Sequence, residues 1–214
     1  MSEIVYAPLV RLGILGPAND DMLGLARAAQ ILLDEVHAEK VIYLGDDGAL
    51  ERVVVSWARE IVGANPSGEA VFKRAAERCA KATPHEIDHF VEHERARLRL
   101  EVFVSLPSEH SRSIEILDGR VVIFVHDKAM LDEEDIVAAQ LIVFGKAREP
   151  LIRRVGARLF LTPGPIGCPT GGAALLDDGQ EGINIEILGP GGVVTARDHV
   201  GGPRPGKMRV QGGK

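Results

Sequence analysis

Cysteine is scarce in this chain: two residues, Cys79 and Cys168, in 214. That excludes a disulfide framework and fits a reducing compartment, so a cytoplasmic protein is expected. Long apolar runs are missing as well. No stretch approaches the roughly 20 residues that cross a bilayer. The opening MSEIVYAPLV lacks the cationic segment and apolar run of a secretory signal, so no signal peptide and no membrane partner are expected. Positive charge is not in excess. Lys and Arg number 25 against 31 Asp and Glu, a formal net charge of -6. A specific nucleic-acid partner is therefore not expected, because the basic field that holds DNA or RNA is lacking. What is present sustains a core: 45% hydrophobic and 26% charged residues exclude disorder along the whole length. The length suits one full-sized domain.

The first hundred residues alternate short apolar runs with helical spacing. Residues 10–15 (VRLGIL) read as a buried strand. After a Gly16-Pro17-Ala18-Asn19 turn, Met22, Leu25, Ala26, Ala29, Leu32, Leu33 and Val36 share one helix face. Residues 41–44 (VIYL) read as a second strand. Strand, helix and strand within about 35 residues make a βαβ unit, so the two strands should be parallel. Helical patterns follow at about 50–63, 69–82 and 84–100. The last starts on Thr83, Pro84 and Glu86, the residues of a capping box.

After residue 110 the period changes. RSIEIL, Asp118-Gly119 and RVVIFVHD form a hairpin signature, since Asp-Gly suits the positive φ angles of a tight turn. A short helix (132–140) and a strand (141–144, LIVF) come next. LIRRVG, ARLFLT, GAALLD and INIEILG then read as four strands of a late meander. Residues 201–214, rich in Gly and Pro and carrying Arg204, Lys207, Arg209 and Lys214, read as a flexible basic tail. The expected division is one domain over 1–200, with a helical insertion at about 65–110, and then this tail.

Ligands of open α/β sheets collect beyond the carboxyl ends of strands. Here those positions hold Gly16, Ala18, Asn19 and Asp20, then Gly45-Asp46-Asp47-Gly48 and His126-Asp127. Gly145-Lys146-Ala147-Arg148 follows, and Thr162-Pro163-Gly164 leads to Cys168-Pro169-Thr170-Gly171-Gly172. In order and spacing they resemble the calcineurin-like metallophosphoesterases, including small bacterial phosphodiesterases and the retromer scaffold subunit of that fold. The resemblance spans about 10–190 and implies an α/β fold, a four-layer α-β-β-α sandwich, with a two-metal phosphoesterase site. Gly45-Asp46, His126 and the Thr162-Pro163-Gly164-Pro165 and Pro169-Thr170-Gly171-Gly172 turns keep the family pattern. Its Asp-x-His falls on Gly16 and Ala18, and its Gly-His-x-His on Gly145, Lys146, Ala147 and Arg148. For its Gly-Asn-His step, Asn65 is the one candidate.

Glycine and alanine cannot ligate, and lysine and arginine repel cations. Lys146 and Arg148, two apart in an extended segment, point to one side and are expected beside Asp46. The expectation is an inactive protein of this fold, with no catalytic residue, no resident metal and no other cofactor. It would act as a protein-binding or scaffold module for an unidentified protein partner. Asp46, His126, Lys146, Arg148, Asn19 and Gly164 form the expected vestigial site. It would take phosphate or a nucleotide with help from backbone N–H groups near Gly164 and Gly171. The alternative is a divalent-metal-dependent phosphoesterase or phosphodiesterase with a rewired site. Asp20, Asp46, Asp47, His126 and Asp127 would then hold manganese, iron or zinc.

A rival signal is His85-Glu86-Ile87-Asp88-His89, the H-E-x-x-H pattern of zinc peptidases, with His93 one turn on. Glu86 is already spoken for by the capping box, and His93 continues in line with the other two. The stretch therefore reads as a solvated helix face, with adventitious metal binding as the residual reading. Cys168 reads as a plain loop cysteine, and Phe72, Phe90, Val91, Leu98, Leu100, Val102 and Phe103 as core residues or as a partner-binding face.

Overall fold

The apolar run RLGIL forms β1 (Arg11–Leu15) and KVIY forms β2 (Lys40–Tyr43). They pair in parallel, with Gly13 opposite Val41 and Leu15 opposite Tyr43. The computed structural model of the chain describes residues 10–107, 112–179 and 182–201. Between the two strands runs α1 (Met22–Gln30), continued by a π-helical turn through Glu35. Asp21 caps α1 by accepting the Gly24 N–H. The apolar face of α1 buries Leu25 and Ala29 against the sheet.

Three helices follow: α2 (Ala49–Val62), α3 (Val71–Cys79) and α4 (Pro84–Arg99). The expected capping box is present, with Thr83 and Glu86 satisfying each other's backbone N–H. The segment read as purely helical also holds a strand, β3 (Phe103–Ser105), which pairs in parallel with β2. Three residues are too few to show an alternating pattern. Of the apolar residues singled out there, Leu100 is buried, and Val102 and Phe103 pack against the core. Phe72 is 83% exposed.

Asp118 (φ 47°) and Gly119 (φ 70°) turn β4 (Arg112–Leu117) into β5 (Arg120–Val125), as the Asp-Gly signal required. Next come α5 (Glu133–Ala138), β6 (Leu141–Phe144), β7 (Leu151–Val155) and β8 (Arg158–Thr162). The late strands are not one meander. β5, β6 and β8 run parallel in a five-stranded sheet of order β4-β5-β6-β8-β7. The chain then crosses to the first sheet with β9 (Ala173–Gly179), β10 (Gly182–Leu188) and β11 (Val194–Gly201). That sheet has the order β11-β10-β9-β1-β2-β3. β11, VTARDHVG, is a mostly exposed edge strand, and its polar sequence hid it.

The two sheets stack face to face. Leu12, Ile14, Ile42 and Leu44 of one meet Val122, Phe124, Leu141 and Val143 of the other. α1 and α2 cover the outer face of the first sheet, and α5 covers Ile123 and Ile142 on the second. The four α-β-β-α layers are those expected. No helix among the described residues is long and apolar enough to cross a membrane. The basic tail, beyond Gly201, lies outside the described residues.

α3 and α4 are joined by charge rather than by grease. Glu94 accepts a two-pronged contact from buried Arg74 (2.7 and 2.8 Å) and a third from Arg97 (3.0 Å). Arg74 also donates to the carbonyls of Asn65 and Ser67, which anchors the link from α2. The Arg74 guanidinium holds the Glu94 carboxyl below the usual carboxylate range. Removing the charge leaves buried Arg74 without its counter-ion, while Arg97 keeps Glu101 at 3.2 Å, so Glu94→Gln should cost about 3–5 kcal/mol in a urea titration. The wild-type contribution is complete above the unfolded carboxylate value of about 4.3. It should disappear as pH falls through the lower folded value, and the difference between wild type and variant should shrink with it.

Candidate functional site

A hollow of about 660 Å³ opens at the carboxyl ends of β1, β2, β5 and β6. Its wall brings together Asn19, Asp46, His126, Lys146 and Arg148, five of the six residues expected to form the site, with Asp20 and Asp47 beside them.

The side facing the second sheet is set by a backbone carbonyl. His126, just past β5, places Nδ1 2.7 Å from the oxygen of Leu44, just past β2. A carbonyl only accepts, so the ring proton stands on Nδ1 and Nε2 faces the hollow. Asp46 Oδ2 lies 3.4 Å from that Nε2. Gly145 completes the junction. A Cβ there would stand 2.4 Å from the same Leu44 oxygen. The Gly145 and Lys146 N–H groups both donate to the His126 carbonyl, at 3.0 and 2.7 Å.

The other side is set by Tyr43. Its hydroxyl donates to Asp47 Oδ1 (2.8 Å) and accepts from the Ala18 N–H (2.9 Å). Burial pushes this phenol well above its usual range. Asp47 also accepts the Ala49 N–H at the start of α2, so it is a helix-start and loop clamp. Sequence reasoning placed Asp47 in a metal set and passed over Tyr43. The signal was a tyrosine in an otherwise aliphatic strand, since a buried phenol seeks a polar partner. The Ala18 bond fixes the β1–α1 turn, where Asn19 (φ 47°) and Asp20 (φ 70°) both sit in the left-handed region. Two such non-glycine residues in succession are uncommon, and backbone strain of this kind collects at binding sites.

Lys146 does not contact Asp46 as expected. Its Nζ lies 2.6 Å from Asp127 Oδ2. That bond raises the lysine above its usual value and holds the Asp127 carboxyl below its own. Asp127 also accepts the Ala129 N–H. Arg148 is exposed and makes no ion pair or hydrogen bond among the described residues.

Gly164 does not belong to the hollow. Its N–H donates to Thr162 Oγ1, and the Gly171 and Gly172 N–H groups donate to the carbonyls of Cys168 and Pro163. None of these three is free for an anion. Gly164 serves close packing: a Cβ on Gly16 would fall 1.8 Å from its oxygen. Asn65 lies in the α2–α3 link, accepting from Ser67 and Arg74. Cys168 Sγ sits 3.7 Å from Thr170 Oγ1, in a loop outside the hollow.

The donors present do not fit a dinuclear centre, which needs carboxylates and imidazoles converging on two ions about 3.5–4 Å apart. Among the described residues no three His, Cys, Asp or Glu converge as a metal set. Asp47 is committed to Tyr43 and Ala49, and Asp127 to Lys146 and Ala129. His126 Nε2 and Asp46 remain as one facing pair, and Asp20 lines the same hollow with its carboxylate unpaired among the described residues.

No family profile and no curated protein matches this sequence. Solved structures do. A conserved uncharacterised protein of Streptococcus pneumoniae TIGR4, described as a predicted phosphoesterase, aligns over 91% of this chain and 99% of its own. The identity is 14% and the TM-score 0.51. Vacuolar Protein Sorting 29 from Cryptosporidium parvum aligns over 91% and 99%, with 12% identity and a TM-score of 0.50. At such identities the likeness concerns the fold, and the fold is of the metallophosphoesterase type.

Two substitutions test the clamps. Gly145→Ala forces a methyl against the Leu44 carbonyl and should destabilise the protein by about 1–3 kcal/mol in urea unfolding. Tyr43→Phe leaves the buried Ala18 N–H without its acceptor and should cost about 1–3 kcal/mol. In the same variant, amide exchange at residues 18–20 should quicken.

Proposed function

We propose that this chain is a non-hydrolytic protein of the metallophosphoesterase fold that works as a binding module, its strand-end hollow taking an acidic group of a protein partner. The observation carrying this reading is the pair of cations that ends β6. Lys146 is held on Asp127, and Arg148 stands exposed with its guanidinium uncommitted among the described residues. An ammonium and a guanidinium repel the divalent ions that phosphoester hydrolysis of this type employs. The same guanidinium suits a carboxylate or phosphate, which it grips with two parallel N–H bonds. The sequence's resemblance to the retromer scaffold subunit supports a role in assembly. Phosphate and nucleotides are smaller ligands of the same chemistry.

One observation favours a second reading. With Nδ1 fixed on Leu44, His126 turns its Nε2 toward Asp46, and a backbone carbonyl behind the ring is how metal-bound histidines are commonly oriented. A rewired metal-dependent phosphoesterase would use that pair.

Hydrolysis of bis(4-nitrophenyl) phosphate with added manganese separates the two. The binding module should show no turnover above that of Asp46→Ala. Manganese-dependent turnover that Asp46→Ala abolishes would establish the hydrolase. In pull-downs from native lysate, mass spectrometry should find a partner protein captured by wild type and lost by Arg148→Glu. Retention of every captured protein by the variant would contradict a role for the hollow.

A further inference from the structure

Helix α4 carries His85, His89 and His93 at one-turn intervals, and none of the three lines the strand-end hollow. Residues four apart on a helix are neighbours on one face. Two of these rings already lie together: the centroids of His89 and His93 are 4.1 Å apart, with planes at 56°. His93 is half-buried, and its Nδ1 sits 2.7 Å from the His89 carbonyl oxygen. That oxygen only accepts, so the His93 ring proton stands on Nδ1 and Nε2 carries a lone pair. The backbone thus fixes tautomer and orientation, as it does for histidines that ligate metals. His89 is exposed beside it.

We propose that His89 and His93 form an exchangeable two-histidine site for a late first-row divalent ion: zinc, nickel or copper. Imidazole nitrogen suits these ions, whereas magnesium and calcium prefer oxygen. No third His, Cys, Asp or Glu converges with the pair among the described residues, so water completes the coordination and the ion exchanges readily. No hydrolytic step goes with the site. Glu86, the base that an H-E-x-x-H enzyme would need, is bonded to the Thr83 N–H at 2.7 Å and the Thr83 hydroxyl at 2.8 Å. What binding does is mechanical. Only the formed helix holds the two rings one turn apart, so an ion that binds both stabilises α4. Glu94, next to His93, passes that order to α3 through Arg74.

Calorimetric titration of the full, tag-free, metal-stripped chain with zinc chloride tests the site, with a thermal melt in parallel. The expected result is one site whose affinity falls at least ~10-fold in His89→Gln and in His93→Gln and is kept in His85→Gln. Zinc should raise the melting midpoint of wild type and leave that of His89→Gln where it was. Magnesium chloride should do neither. His89 is exposed, so its variant decides the matter even where His93→Gln folds poorly. Lack of saturable binding, or binding kept by His89→Gln, would overturn the proposal. So would loss of the site in His85→Gln, or in Asp46→Asn, which would move the ion to the hollow.

Discussion

The Leu44 carbonyl governs how the two sheets meet at their open ends. It takes the His126 ring N–H at 2.7 Å, and it leaves no room for a side chain at Gly145. One oxygen of the first sheet therefore fixes two residues of the second. The His126 carbonyl passes the constraint on by accepting from Gly145 and Lys146. The segment that carries both cations is thus positioned by backbone hydrogen bonds, and such a site keeps its shape through side-chain changes around it. Tyr43 does the same for the opposite wall, tying the β1–α1 turn to the loop that opens α2. Parallel strands bring their carboxyl ends to one rim, and these two clamps turn that rim into a defined hollow.

One pair of charges in the hollow is balanced locally. Lys146 and Asp127 satisfy each other, while His126 and Asp46 face one another across the gap between the sheets. Arg148 is left over, an exposed guanidinium on a wall that also carries Asp20, Asp46 and Asp47. Two positions in the β1–α1 turn bear on the same reading. Where the related pattern has its first two ligands, this chain has Gly16 and Ala18. Gly16 lies in backbone contact with Gly164, and Ala18 is fully buried under Tyr43. Those positions serve packing.

Much of this was legible in the sequence where a local rule is strict. Asp118-Gly119 announced its hairpin, Thr83 and Glu86 announced their helix start, and the spacing of Val10 to Tyr43 announced the βαβ unit. The strand-end segments also named six residues, five of which the fold gathers around one hollow. Three things were hidden. β3 is too short, and β11 too polar, for periodicity to reveal either. The crossover of β9 to β11 into the first sheet is a long-range choice that no local pattern encodes. At the site, Lys146 was placed on Asp46 because both follow strands. The partner in space is Asp127, which shares the second sheet with it. Side-chain direction at a strand end depends on sheet assignment, and that came only with the fold.

The central claim is that cationic side chains, not a pair of divalent ions, furnish the strand-end hollow. Anomalous scattering from crystals grown in manganese tests it most directly. The account predicts no anomalous peak bonded to Asp46 and His126, with Lys146 remaining on Asp127. Two peaks about 3.5–4 Å apart and bonded to Asp46 and His126 would contradict it.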